Sequence, residues 1–241
     1  MYKRQRGEFV GTQLHGYKPF LLFDGCEAVA GVCANKQPIF YEPGIVFLGG
    51  AATPPVLGIA FGTGDRSDLT APSAAPNSFF YAVDSGQTAT TFIKGDLRDL
   101  TPTTGAGPCP TPYNPATCAN ASNGFVLDFS TNNEKATSTV FSTQGYLSII
   151  TFTPDSANPC ATNGSSYRYR FFFLTGQGGY GTGTTYGDFQ ESLGSGLAAA
   201  SQSTSPQGDI IDTVLFSGGS LQEEVTPGTL RSIEQNWKEQ Q

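Results

Sequence analysis

The residues able to do chemistry are few and scattered. One histidine occurs, His15. A Ser-His-Asp nucleophile needs that histidine beside a serine and a carboxylate. His15 sits in a Gly-flanked stretch with no clear patterning. Paired acids for glycoside hydrolysis would stand about 5–10 Å apart. Asp65 with Asp84, or Glu223 with Glu224, could supply such a pair, but nothing in the sequence selects either. Asp65, Asp68 and Asp84 are also candidate oxygen ligands for a cation. Turn capping is the commoner use of aspartates in such polar loops. The run Gly176 to Gly183 (GQGGYGTG) is glycine-rich, yet no Lys-Ser/Thr pair and no helix follows as a phosphate loop requires. The expectation is a chain that catalyses nothing.

Five cysteines occur: Cys26, Cys33, Cys109, Cys118 and Cys160. Local pairing of Cys26 with Cys33 and of Cys109 with Cys118 would staple two loops and leave Cys160 over. Such staples suit an oxidising compartment. Five buried thiols are the plainer alternative. No CxxC occurs and His15 is far from any cysteine, so a zinc site is not expected.

The elements that must position these residues are strands. Charged residues make up only 14% of the 241, while Gly is 30 and Pro 16. Gly and Pro weaken helices, and the plentiful Thr, Phe and Tyr suit a pleated surface. Apolar clusters are four to nine residues long and bounded by turn formers. They are Pro19 to Phe23, Ile45 to Leu48, Val56 to Phe61, Phe79 to Val83, Phe125 to Phe129, Tyr146 to Phe152, Tyr167 to Leu174 and Ile210 to Phe216. This is an all-β pattern. Three long polar loops are expected: Ser67 to Asn77, Thr101 to Asn123 and Gln177 to Gln207. Leu230 to Gln240 could be a helical turn or a last strand.

A repeat is visible. Ile59 to Gly64, a polar loop, then Phe79 to Gly86 is one unit. Ile149 to Pro154, a polar loop, then Tyr167 to Gly176 is another, and Ile211 to Gly219 starts a third. Propeller blades share this grammar. The spacing from Gly86 to Gly176 is about two blades. We expect one β-propeller segment over residues 1–241, with three to four blades, long loops and an irregular lead-in at 1–18. In the second unit Tyr167, Tyr169, Phe171 and Phe173 share one strand face. They read as core, with a sugar-stacking platform as the alternative. Arg168 and Arg170 should then face solvent.

The net charge of −7 is spread along the chain, and no basic stripe offers itself to phosphates. Nucleic acid is not an expected partner. No stretch approaches the roughly 20 apolar residues of a membrane span. The basic start, Met1 to Arg6, lacks a following apolar region. An exported chain of this kind would be a piece of a longer precursor.

Several segments resemble the C-terminal region of the PilY1-type pilus-tip family. They are Lys36 to Ile39 with Pro43, Phe61 to Leu69, Phe79 to Asp84, Gly124 to Phe129, Thr151 to Pro154 through Cys160, Gly164 and Tyr169, and finally Ser232 to Glu239. They follow the family's order. Phe125 stands where the family has Trp, and Tyr169 to Gly176 lacks the family's Asp. The family's calcium loop lies upstream of the matched region, so no metal or other cofactor is carried over to this chain. The resemblance implies a modified, quinoprotein-like β-propeller without enzyme activity. It implies a place outside the cell at a pilus tip or the outer surface, reached through the periplasm. Its partners would be minor pilins, other tip subunits, a host or abiotic surface, and the remainder of its own propeller. A matrix- or carbohydrate-binding propeller protein and a quinoprotein-like enzyme fragment are the alternatives.

Overall fold

The computed structural model describes residues 2–10, 13–24, 37–48, 56–73, 75–84, 91–102, 104–109, 123–143, 145–155, 163–195, 198–205, 209–216 and 221–226. Strands dominate them, so the protein is all-β. The first pair is β1 (Tyr2–Val10) and β2 (Gln13–Phe23), an antiparallel hairpin. It replaces the irregular lead-in expected over 1–18. Its residues do not alternate cleanly between apolar and polar, so the sequence pattern concealed it.

A five-stranded sheet follows. It holds β3 (Gly44–Leu48), β4 (Val56–Gly62), β5 (Ser78–Asp84), β6 (Arg98–Asp99) and β7 (Gly124–Asp128), in the order β3-β4-β5-β7-β6. All its pairings are antiparallel except β6 with β7. The next sheet holds β8 (Lys135–Ala136), β9 (Phe141–Thr143), β10 (Tyr146–Pro154), β11 (Gly164–Phe172) and β12 (Gln190–Ser195). There β8 and β9 share one edge of β10, and β11 and β12 continue from the other. A short helix, α1 (Tyr186–Phe189), precedes β12. The last sheet is β13 (Ala198–Thr204), β14 (Ile210–Phe216) and β15 (Leu221–Thr226).

The repeat read in the sequence corresponds to β4–β5 and β10–β11, the central pairs of the two large sheets. Its third start falls on β14. The two large sheets pack face to face. Phe79, Tyr81, Phe125 and Leu127 of the first meet Leu147, Ile149, Tyr169 and Phe171 of the second. Phe79 and Phe171 stack with centroids 4.4 Å apart and planes at 12°. The outer face of the first sheet is buried as well. Phe61 and Phe80 pack with Phe23 from β2, at 5.5 and 4.8 Å. Burial on both faces explains why β5 reads as a continuous apolar run, without alternation.

The junction of the sheets requires glycine. A Cβ on Gly62 would lie 2.4 Å from Ile149 Cδ1 and 2.6 Å from Ala136 Cβ. Gly64 adopts φ of +138°, which L side chains avoid. The second sheet is partly covered on its outer side. Ile150 packs against Ala198 and Leu193. The Ala198 amide donates to Ser166 Oγ at 3.0 Å.

Three expectations need correction. Gln177 to Gln207 is not one long loop, because it contains α1, β12 and β13. Its strands are mostly Gly, Ser, Ala and Gln, whose strand signal is weak. Arg168 is not solvated: its side chain is 11% exposed and paired with Glu191 at 2.7 Å. Arg170 is also engaged, lying over the Tyr146 ring at 5.1 Å. The end segment Leu230 to Gln240 lies outside the described residues.

Candidate functional site

The candidate cation ligands do not converge. Asp65 Oδ1 accepts hydrogen bonds from the amide and hydroxyl of Ser67, at 2.8 and 2.6 Å. Asp68 Oδ1 accepts from the amides of Thr70 and Ala71 and the Thr70 hydroxyl, at 2.9–3.1 Å. Both are turn caps. The Ser67 hydroxyl bond holds the Asp65 carboxyl below its ordinary range, and the Ala71 amide does the same for Asp68. Asp84 stands at the opposite end of β5 from Ser78, to which this turn connects. Six residues of strand are roughly 20 Å. That distance removes Asp65 with Asp84 as a paired-acid site. Glu223 and Glu224 are neighbours on β15, so their positions face opposite sides of the sheet. His15 is on β2, opposite Glu8 in the register. Among the described residues, no three His, Cys, Asp or Glu side chains come together.

Cys109 is buried and disulfide-bonded. Cys26, Cys33, Cys118 and Cys160 lie outside the described residues, so no pairing is assigned. The aromatic row on β11 is core. Tyr169 and Phe171 are fully buried, and Tyr167 and Phe173 pack against the same cluster. Neither Tyr169 nor Phe171 leaves a face open for a sugar to stack on.

Two polar arrangements escaped the sequence reading. In the first, Glu134 and Lys135 are buried side by side in the chain. Lys135 Nζ donates to the carbonyls of Asp68 and Ala71, the latter at 2.5 Å. It thereby clamps the aspartate turn from beneath. Burial pulls its pKa down, against the attraction of Asp68 and Asp65. Replacing it with Met keeps the stem and removes the clamp. We expect Lys135→Met to cost about 1 kcal/mol. Amide exchange over residues 66–71 should accelerate roughly tenfold, as hydrogen-exchange mass spectrometry would measure. Unchanged protection of that turn would refute the clamp.

The second arrangement is a cleft of about 450 Å³ between residues 100–109 and 177–184. Asp128, at the end of β7, anchors its surroundings. Its carboxylate accepts from Ser78 Oγ and Lys94 Nζ, both at 2.6 Å. Its amide donates to Thr101 Oγ1 at 3.0 Å, and its carbonyl accepts from the Tyr186 hydroxyl at 3.0 Å. Arg98 donates to the carbonyls of Gly107 and Ala106, at 2.5 and 3.0 Å. On the other side, Asp188 Oδ2 accepts from the amides of Thr184 and Thr185, both at 2.9 Å. The Thr185 amide bond lowers the Asp188 pKa, so it stays ionised in this role. The charged groups thus brace both loops from behind. Among the described residues the lining itself holds none: Leu100, Pro102 and Pro108 are apolar, and Thr101, Gln177, Thr182 and Thr184 are neutral and polar. The only trace in the sequence was the glycine run at 176–183, which closes one wall.

No family model, no curated protein and no solved structure matches this chain.

Proposed function

We propose that this chain is a non-catalytic propeller segment of a PilY1-type pilus tip, supporting pilus assembly and surface adhesion outside the cell. One observation carries the reading. Segments that resemble the family at separate places in the sequence are knitted together in space. The Thr63 hydroxyl donates to Gln37 Oε1 at 3.1 Å, and the Gly64 amide donates to the Pro38 carbonyl at 2.9 Å. Gln37 Nε2 in turn donates to the Pro76 carbonyl at 2.5 Å, just before β5. Two of the resembling segments, Lys36 to Ile39 and Phe61 to Leu69, therefore meet at one junction, which supports reading them as parts of one motif set. The succession of antiparallel sheets supports the propeller part. Each large sheet is a run of strands adjacent in sequence, and each is backed by the next, as blades are. The rigid strands leave loops to carry contacts with minor pilins or a surface.

Deleting the gene in its native host tests this. Surface pili and surface attachment should fall several-fold and return on complementation. Cross-linking of sheared surface material should capture the chain with minor pilins. Wild-type piliation and attachment in the deletion strain would overturn the reading.

A further inference from the structure

We propose that the cleft between residues 100–109 and 177–184 is a binding site for a neutral saccharide. Its volume, about 450 Å³, lies in the range of small-ligand sites. Its walls are already organised. Arg98 and Asp188 hold the two loop backbones, and the Cys109 amide donates to the Thr175 carbonyl at 2.9 Å, joining the loops to each other. A ligand therefore meets a surface whose ordering cost has been met in folding.

The lining selects the chemistry. Among the described residues, no ionisable side chain lines the cleft, in a chain of net charge −7. Neither a cation nor a carboxylate is among the described lining residues, and Asp188 behind one wall has its Oδ2 engaged by the Thr184 and Thr185 amides. A purely aliphatic ligand would strand the Gln177 amide, whereas the hydroxyls of Thr101, Thr182 and Thr184 already bond to Asp128 and Asp188. A neutral polyol satisfies both that amide and the apolar part of the lining. Its hydroxyls both donate and accept, as does the side-chain amide of Gln177. That amide lines the cleft and makes no hydrogen bond within the described residues. Its C–H faces can lie on Pro102 and Pro108. The site is separate from the aromatic row of β11, which is core. It stands on the cleft alone, whatever assembly the chain joins.

The intact chain should be titrated calorimetrically with a panel of neutral disaccharides. Sialylated and sulfated counterparts and an uncharged Gly/Pro tetrapeptide complete the set. At least one neutral saccharide should bind, more tightly than any charged form or the peptide. Gln177→Ala should weaken that binding about tenfold, the loss of one good hydrogen bond. Ala106→Trp, at an exposed position of the lining, should fill the cleft and abolish binding. Glu223→Gln on β15 should leave it unchanged. Thermal melting of each variant checks folding, and Gln177→Ala alone carries the test if Ala106→Trp does not fold. The proposal is overturned if no neutral saccharide binds, if the charged forms or the peptide bind better, or if both cleft variants bind as the wild type does.

Discussion

Phe171→Ala should destabilise the protein by about 3–5 kcal/mol, the usual cost of truncating a buried aromatic. For a chain of this size that corresponds to a fall in melting temperature of roughly 6–20 °C. Phe171 is fully buried at the interface of the two large sheets. Its ring stacks on Phe79 at 4.4 Å and contacts Phe125 at 5.7 Å, both across the interface. On its own side it meets Phe189 of α1 at 5.5 Å. With Tyr169 at 6.1 Å, truncation therefore empties a space that four other rings border, from two sheets and a helix. Those elements are far apart in sequence and cannot close the gap by a local shift. Phe171→Leu, which retains most of the volume, should cost less than half as much. Phe47→Ala on β3 is the control. Phe47 is 75% exposed, and its loss should fall within about 0.5 kcal/mol. Chemical denaturation of the three variants measures the series. Equal effects for Phe171→Ala and Phe47→Ala would mean that the two sheets do not share this core.

The same residues mark what the sequence could tell. Phe171 stood in a Tyr-Arg-Tyr-Arg-Phe alternation, and alternation is a local property, so β11 and its buried face were legible. Ile59 to Gly64 and Phe79 to Asp84 were legible as two strands of one unit because each is a short apolar run bounded by turn formers. The glycines at 62 and 64 were legible as a strand end, though not as the place where Ile149 and Lys135 press in. Gln190 to Ser195 and Ala198 to Thr204 were illegible as strands. Their small polar residues pair because neighbouring strands present edges to them, and that cause lies elsewhere in the chain. The candidate site was hidden more deeply. Asp128 braces Ser78, Lys94, Thr101 and Tyr186, residues up to 58 positions away. Nothing near Asp128 in sequence announces this. The aspartates that did stand out, Asp65 and Asp68, turned out to serve their own turns. In a chain with few charges, the conspicuous ones lay on the surface and the consequential ones were inside.

Glu134 is the clearest of these, and it makes the second large prediction. Its carboxyl is fully buried. One oxygen accepts from Thr151 Oγ1 at 2.6 Å, and the other from the hydroxyl and amide of Ser130, at 2.8 and 3.1 Å. The buried Tyr169 hydroxyl lies close by, and burial and the nearby carboxyl push its ionisation well above the ordinary range. Glu134→Ala strips three donors of their acceptor at once. We expect a loss of about 3–5 kcal/mol, since each buried unsatisfied donor costs about 1–3. Glu134→Gln should behave differently. Its oxygen can keep both Ser130 bonds, and its amide can donate to Thr151 once that hydroxyl rotates. The two proteins should then diverge with pH. Burial raises the Glu134 pKa above its ordinary 4.5, outweighing the hydrogen bonds that lower it. A raised folded-state pKa means that the native state holds the proton more tightly. The stability this gives is fully present below the unfolded value and is lost as pH rises through the folded one. Asp65, Asp68, Asp188 and Glu191 are shifted the other way, but they are common to both proteins and cancel in the difference. Glu134→Gln should therefore gain on the wild type as pH rises from 4 to 8, in paired urea denaturation curves. A difference that stays constant over that range would mean that Glu134 binds its proton equally in the folded and unfolded chain, and would refute the raised pKa.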